Sequence, residues 1–123
     1  MRLMVSLAVA VAFCTASSAT AAPKFQLDQT SWTYANKDGT KVVESVDADG
    51  NYIVNTAAGK HLDHGTAVMK NGKACFTSAM TKEGEVCWTT SPVKIGHSLK
   101  TVSSKGQKLT VTRTAYSPLK MPE

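Results

Sequence analysis

Apolar and polar residues alternate along most of the chain beyond residue 29. Gln107–Ala115 shows the pattern most clearly, because Leu109, Val111 and Ala115 fall on one face and threonines on the other. A period of two is typical of a strand with one buried face, and no stretch has the sustained 3.6-residue period of a helix. The pattern therefore predicts an all-β protein.

Turn residues divide the alternating pattern into about eight predicted strands. Glycines recur every nine to thirteen residues, and Asn71-Gly72 is the strongest two-residue hairpin signal. Short connections of this kind favour an antiparallel up-and-down meander that closes into a small barrel, with a two-sheet β-sandwich as the alternative. The predicted strand segments are Thr30–Asn36, Thr40–Val46, Asn51–Asn55, Lys60–Lys70, the two arms of Lys73–Thr90, His97–Val102 and Gln107–Ala115.

The segment Lys73–Thr90 is predicted to be a hairpin joined by a disulfide between Cys75 and Cys87. Pairing the two cysteines opposite each other places them on the outer, polar face. Closing a loop of this length stabilises a fold by about 3 kcal/mol in the chain-entropy model. The core face of the hairpin would then carry Ala74, Phe76, Val86 and Trp88.

The first 22 residues have the organisation of an export signal. Arg2 precedes an apolar run over Leu3–Phe13, and small residues follow up to Ala22. Cleavage after residue 21 would leave a leader over 22–29, a single β domain over 30–116 and a flexible tail over 117–123. The apolar run is too short to span a bilayer, so no membrane-spanning segment is expected. A periplasmic or secreted location also provides the oxidising conditions that a structural disulfide needs.

The charge of the mature chain argues against nucleic acid as a partner. The sequence has 14 basic and nine acidic residues, and removing Arg2 with the signal leaves thirteen basic residues and a net charge of +4. Twelve of these thirteen are lysines scattered singly, whereas nucleic-acid surfaces concentrate basic residues in a patch. We expect a monomer without a cofactor.

Trp32 in the first strand and Arg113 in the last would be neighbours in a closed barrel, where the guanidinium could lie over the indole as a cation–π contact. This pairing resembles the signature of lipocalin-like (calycin) barrels, although Thr30-Ser31-Trp32 lacks the glycine of their G-x-W motif. The DADGN turn with the K-x-C-F and C-W segments is similar to small exported bacterial β-proteins of unassigned function. The resemblance implies that Trp32 and Arg113 close the barrel, and that the role is binding rather than catalysis.

Two non-enzymatic functions are consistent with this pattern. The first is a binding module for a small apolar or amphipathic ligand, held in a cavity that Trp32, Tyr34, Phe76 and Trp88 would line. The second is a protein-interaction or inhibitor domain of the cell envelope, with exposed apolar residues at a loop tip. Ala79 and Met80, in the disulfide-joined hairpin, are the candidates for that loop.

A third hypothesis is a metal-binding or hydrolytic protein that uses His61, Asp63 and His64, because imidazole and carboxylate groups are suitable ligands for zinc or copper. On a regular strand, however, His61 and Asp63 face one way and His64 the other. Only a local twist, such as one at Gly65, would gather all three, so no metal site is favoured. No G-x-S-x-G nucleophile motif is present and the cysteines are expected to be oxidised, so we predict no catalytic residues.

Overall fold

The computed structural model describes residues 25–122, so the predicted export signal lies outside the described residues. Over this range the chain forms eight strands, and no helix long and apolar enough to cross a membrane is found there. The predicted all-β architecture is confirmed, and every strand lies within one residue of a predicted segment. The strands are β1 (Thr30–Ala35), β2 (Lys41–Val46), β3 (Asn51–Thr56), β4 (His61–Lys70), β5 (Lys73–Ser78), β6 (Glu85–Thr89), β7 (Ser98–Val102) and β8 (Lys108–Thr114).

All eight strands belong to one antiparallel sheet, in the order β6-β5-β4-β3-β2-β1-β8-β7. This is the cyclic order of an up-and-down meander, because β1 pairs with β8 as well as with β2. The two remaining edges, β6 and β7, meet through a Trp88–Ser103 bridge and a hydrogen bond from the Ser104 amide to the Cys87 carbonyl (2.8 Å). The sheet is therefore a nearly closed barrel, and the sandwich alternative is wrong.

Hydroxyl groups complete the contact between β6 and β7. The Val102 amide donates to the Thr89 hydroxyl (3.0 Å), and the Thr101 hydroxyl donates to the Thr89 carbonyl (2.6 Å). These bonds satisfy backbone groups that lack a partner in a regular ladder. The barrel thus has a seam at which side chains replace part of the backbone pairing.

The two ends of the barrel differ. At the end where β1 begins, which we call the closed end, Phe25 packs edge-on against Trp32 with ring centroids 6.0 Å apart, and Leu27 is buried. The segment after β8 also reaches this end, since the Ser117 amide donates to the Ser31 hydroxyl (2.9 Å). The opposite end, the open end, is bordered by the turns at 36–40, 57–60, 79–84 and 103–107.

Parts of the leader and the tail thus belong to the fold. Leu27 joins the hydrophobic core, and the Leu119 amide donates to the Ser45 hydroxyl (2.9 Å). The prediction of a loose tail did not anticipate this attachment, because it depends on serine hydroxyls that no apolar pattern reveals.

The hairpin register agrees with the prediction. Cys75 pairs with Cys87, Ala74 with Trp88 and Phe76 with Val86, and the two cysteines form a disulfide. At the β4–β5 hairpin, Asn71 and Gly72 both have positive φ angles, as a tight two-residue turn requires.

The interior is unevenly filled. Val42 and Val46 on β2 are completely buried, and the wall formed by β2–β5 supplies most of the packed core. Leu99 on β7 and Leu109 and Val111 on β8 also point inward, yet they remain only half-buried. Space is therefore left between the packed wall and the wall formed by β6–β8.

We predict that replacing both Cys75 and Cys87 by serine lowers the free energy of unfolding by about 3 kcal/mol, because the open hairpin gains chain entropy when unfolded. Urea denaturation monitored by tryptophan fluorescence measures the change. Reducing the wild-type disulfide should produce the same loss. A double variant as stable as the oxidised wild type would contradict the prediction.

Candidate functional site

The barrel contains a cavity of about 480 Å³. Asn36, Glu83, Lys105 and Gln107 line it at the open end, and Leu27 lines it near the closed end. Its volume lies within the range of small-molecule sites in proteins. The interior of the barrel, rather than its outer surface, is therefore the candidate site.

The aromatic residues that were predicted to line a cavity all lie on its wall. Trp32 and Tyr34 come from β1, Phe76 from β5 and Trp88 from β6. Trp32 lies deepest, with 5% of its surface exposed, and its indole N–H donates to the Thr30 hydroxyl (2.8 Å). Strand alternation accounts for this placement, because each of the four shares the inward face with core residues.

The two walls of the cavity differ in polarity. The wall formed by β6–β8 is mostly apolar, because Val86, Trp88, Leu99, Leu109 and Val111 line it beside Thr89 and Thr101. Polar side chains from β1–β5 face it across the cavity, namely Tyr34, Glu44, Tyr52, Asp63 and Ser78. The cavity is therefore amphipathic.

The Asp63 carboxylate is held by three donors. The Tyr52 hydroxyl donates to Oδ2 (2.8 Å), while the Ser78 hydroxyl (2.5 Å) and the His64 amide (2.9 Å) donate to Oδ1. Burial, and then the hydrogen bond to Asp63, raises the pKa of Tyr52 above its usual range, so this phenol remains a donor. These three hydrogen bonds fix the position of the Asp63 carboxylate in the cavity wall.

Glu44 has a different environment. It points inward between Val42 and Val46 on β2, and its neighbours on adjacent strands are Trp32 and Val54. Among residues 25–122 no hydrogen bond to its carboxylate is found. Burial, together with the negative charge of Asp63, raises the pKa of Glu44 to about 8.

The burial of Glu44 has two aspects. Its side chain is enclosed by protein, yet it retains some accessible surface, because it borders a cavity that a small molecule can enter. Enclosure by protein is what desolvates the charge of Glu44. Burial and the charge of Glu44 also raise the pKa of Tyr34 above its usual range.

An ion pair lies at the open end. Lys105 Nζ is 3.3 Å from Glu83 Oε1, which joins the β7–β8 turn to the β5–β6 loop. Both side chains are exposed, so the pair contributes little to stability. The ion pair is of interest because it borders the entrance to the cavity.

Trp32 and Arg113 are paired in register, as predicted. The predicted contact between the guanidinium and the indole is wrong, however: Arg113 lies over the Phe25 ring (5.9 Å to its centroid) and donates to the Val93 carbonyl (2.9 Å). Phe25, which packs on Trp32, belongs to the leader and was not included in the predicted fold. Phe25 thus connects Arg113 to Trp32 at one end of the barrel, and of these three side chains Trp32 also lines the cavity.

The three residues of the predicted metal cluster, His61, Asp63 and His64, do not share one face of β4. A register shift opposite Val54 and Asn55 leaves Leu62 without a partner, so His61 and His64 lie on the same side and Asp63 points inward. His61 Nε2 is 3.0 Å from His64 Nδ1, and His61 Nδ1 is 2.8 Å from the Asn55 amide oxygen. The predicted facing of His61 with Asp63 is wrong, and the three candidate metal ligands do not converge.

Ala79 and Met80 are exposed on the β5–β6 loop, and Met80 retains 53% of its accessible surface. The loop is nevertheless ordered by hydrogen bonds, because the Ala79 amide donates to the His64 carbonyl (2.8 Å) and the Met80 amide to the Ser78 hydroxyl (3.0 Å). An apolar side chain is thus presented to solvent at the open end.

Glu44, Tyr52 and Ser78 are among the polar cavity residues that the sequence analysis did not select. The signal for Glu44 was present, since a charged residue between two inward-facing valines is unusual in a strand with one buried face. No comparable signal identified Ser78, whose role depends on where the shifted strand β4 places Asp63.

Comparisons of the chain with protein-family models, with curated proteins and with solved structures found no match.

We predict that Glu44→Gln removes a pH dependence from stability. Because its pKa is raised in the folded protein, Glu44 favours folding fully below its ordinary pKa of 4.5, and this contribution is lost as the pH rises to about 8. Over that window, wild-type stability should fall relative to Glu44→Gln by at most about 1.4 kcal/mol per pH unit.

Urea denaturation at a series of pH values measures this difference. Glu85→Gln, which changes an acid on the outer face, should follow the wild-type curve. Parallel curves for wild type and Glu44→Gln would show that Glu44 titrates at an ordinary pKa.

Proposed function

We propose that this protein is an exported, non-enzymatic binding module that holds a small apolar or amphipathic ligand inside the barrel. The observation that carries the proposal is the cavity of about 480 Å³ with an apolar wall that the protein's own side chains leave half-buried. An eight-stranded barrel is just wide enough either to be filled by its side chains or to hold one small ligand. Here the side chains leave space.

Covering the apolar wall supplies the driving force for binding. Leu99, Leu109 and Val111 already face the interior, so a ligand removes their surface from water without rearranging the sheet. The packed wall behind Val42 and Val46 makes the cavity largely preformed, which lowers the entropic cost of binding.

The chemistry of the lining supports binding rather than catalysis. No histidine lines the cavity within residues 25–122, and the carboxylate of Asp63 is occupied by three donors. A serine–histidine pair is therefore not assembled among the described lining residues.

Two observations support export. The sequence over 1–22 has the order of charged, apolar and small residues that signal peptides show. The Cys75–Cys87 disulfide is stable in an oxidising compartment such as the periplasm or the extracellular medium.

A protein-interaction domain of the envelope is the second candidate, because Met80 is exposed on an ordered loop at the open end. This function requires no cavity. The protein-interaction function gains support if no small molecule binds in the cavity.

We predict that N-phenylnaphthylamine, a neutral apolar dye, binds the folded protein with increased fluorescence, and that Leu99→Trp weakens binding by about tenfold or more. The larger side chain would occupy the cavity, because Leu99 points into it from β7. Val102→Trp is the matched control, since Val102 is exposed on the outer face of the same strand.

Wild type and Val102→Trp should give the same fluorescence titration. Equal binding by Leu99→Trp would place the dye outside the barrel, and an absence of binding by the wild type would contradict the proposed function.

A further inference from the structure

We propose that the ligand is an organic cation, an amphipathic molecule whose ammonium group lies against Glu44 while its apolar body covers the wall formed by β6–β8. This inference rests on the proposed function and names the class of ligand that the same cavity would select.

The charges that line the cavity are mostly negative. Glu44 and Asp63 face its interior, and Glu83 lies at its entrance. Lys105 is the one cation among the described lining residues, and it is paired with Glu83. No basic residue of the described lining is paired with Glu44 or Asp63, and in a cavity of low polarity an ionised carboxylate attracts a cation strongly.

Glu44 is the group available for a ligand. Asp63 already accepts hydrogen bonds on both oxygens, whereas no described residue donates to Glu44. Ionising a carboxylate that protein encloses and that no described group neutralises is costly. An ammonium group placed against Glu44 would supply both the missing hydrogen bond and the missing charge.

The surroundings favour an organic cation over a metal ion. Ca²⁺ requires six to eight oxygen ligands and Mg²⁺ a near-octahedral set, whereas the wall opposite Glu44 is apolar. Aromatic side chains, including Tyr34, Trp32 and Phe76, also line the cavity. The π-faces of these side chains attract alkylammonium groups.

An anionic or neutral ligand fits less well. A carboxylate or phosphate group would lie close to the acidic side chains of Glu44 and Asp63, and Lys105, the one lysine of the lining within residues 25–122, lies at the entrance rather than in the interior. A neutral apolar ligand would cover the apolar wall but leave Glu44 without a partner.

Proton linkage gives the proposal a second signature. With a pKa of about 8, Glu44 is mostly protonated in the empty cavity at neutral pH, and binding a cation releases that proton. Below pH 8, the affinity for a cation should therefore increase by roughly tenfold for each unit by which the pH is raised. The titratable groups that face Glu44 from the neighbouring strands are Tyr34, Tyr52 and Asp63.

The test compares three probes of the same shape: phenylbutylamine, phenylbutanol and phenylbutyrate. Isothermal titration calorimetry with the mature, oxidised protein near pH 8 measures each affinity, and tryptophan fluorescence provides a second readout through Trp88. We expect the amine to bind at least about ten times more tightly than the alcohol, and the carboxylate to bind most weakly of the three.

Glu44→Gln should abolish the preference for the amine over the alcohol and the pH dependence of that preference. Glu85→Gln, the same change on the outer face, should bind all three probes as the wild type does. Binding of the alcohol without a preference for the amine would overturn the cation assignment but leave the binding module intact. If none of the three probes bound, both proposals would be overturned.

Discussion

The pairing of β1 with β8 is the interaction on which the barrel and its cavity depend. It joins the first strand of the chain to the last, with Trp32 opposite Arg113, and it converts a sheet that follows chain order into a cylinder. The side chain of Arg113 then extends to Phe25 and to the Val93 carbonyl, which attaches the leader and the β6–β7 connection to the same end. Without this pairing, the β7–β8 hairpin would separate and the cavity would become one face of an open sheet.

Closure alone does not fill the interior. The residues of β2–β5 pack into a core around Val42 and Val46, whereas the inward residues of β6–β8 stop short of it. In that gap the chain places Glu44, an acid that burial drives toward its protonated form. Such a group destabilises the folded protein at neutral and higher pH, and uncompensated polar groups of this kind concentrate at functional sites. The apolar wall and this acid are the two features on which the proposed binding site rests.

The fold could be predicted from the sequence because each of its signals is local. Alternation set the strands, Asn71-Gly72 set a hairpin, and the spacing of Cys75 and Cys87 set a register that the structure confirms. The site could be predicted only in part. The aromatic residues of the lining followed from alternation, but the inward position of Asp63 depends on a register shift in β4 that no local pattern marks. The size of the cavity depends on the distance between opposite walls, which is a property of the closed barrel.

The most direct test of this account is native mass spectrometry of the mature protein purified from its exported fraction, compared with its mass after denaturation. We predict a native excess of a few hundred daltons that denaturation removes, and fragmentation of the released molecule should reveal an amine or a quaternary ammonium group. A native mass equal to that of the bare chain with its disulfide, in protein that also fails to take up an added amphipathic amine, would contradict the central claim that the barrel is a ligand-binding site.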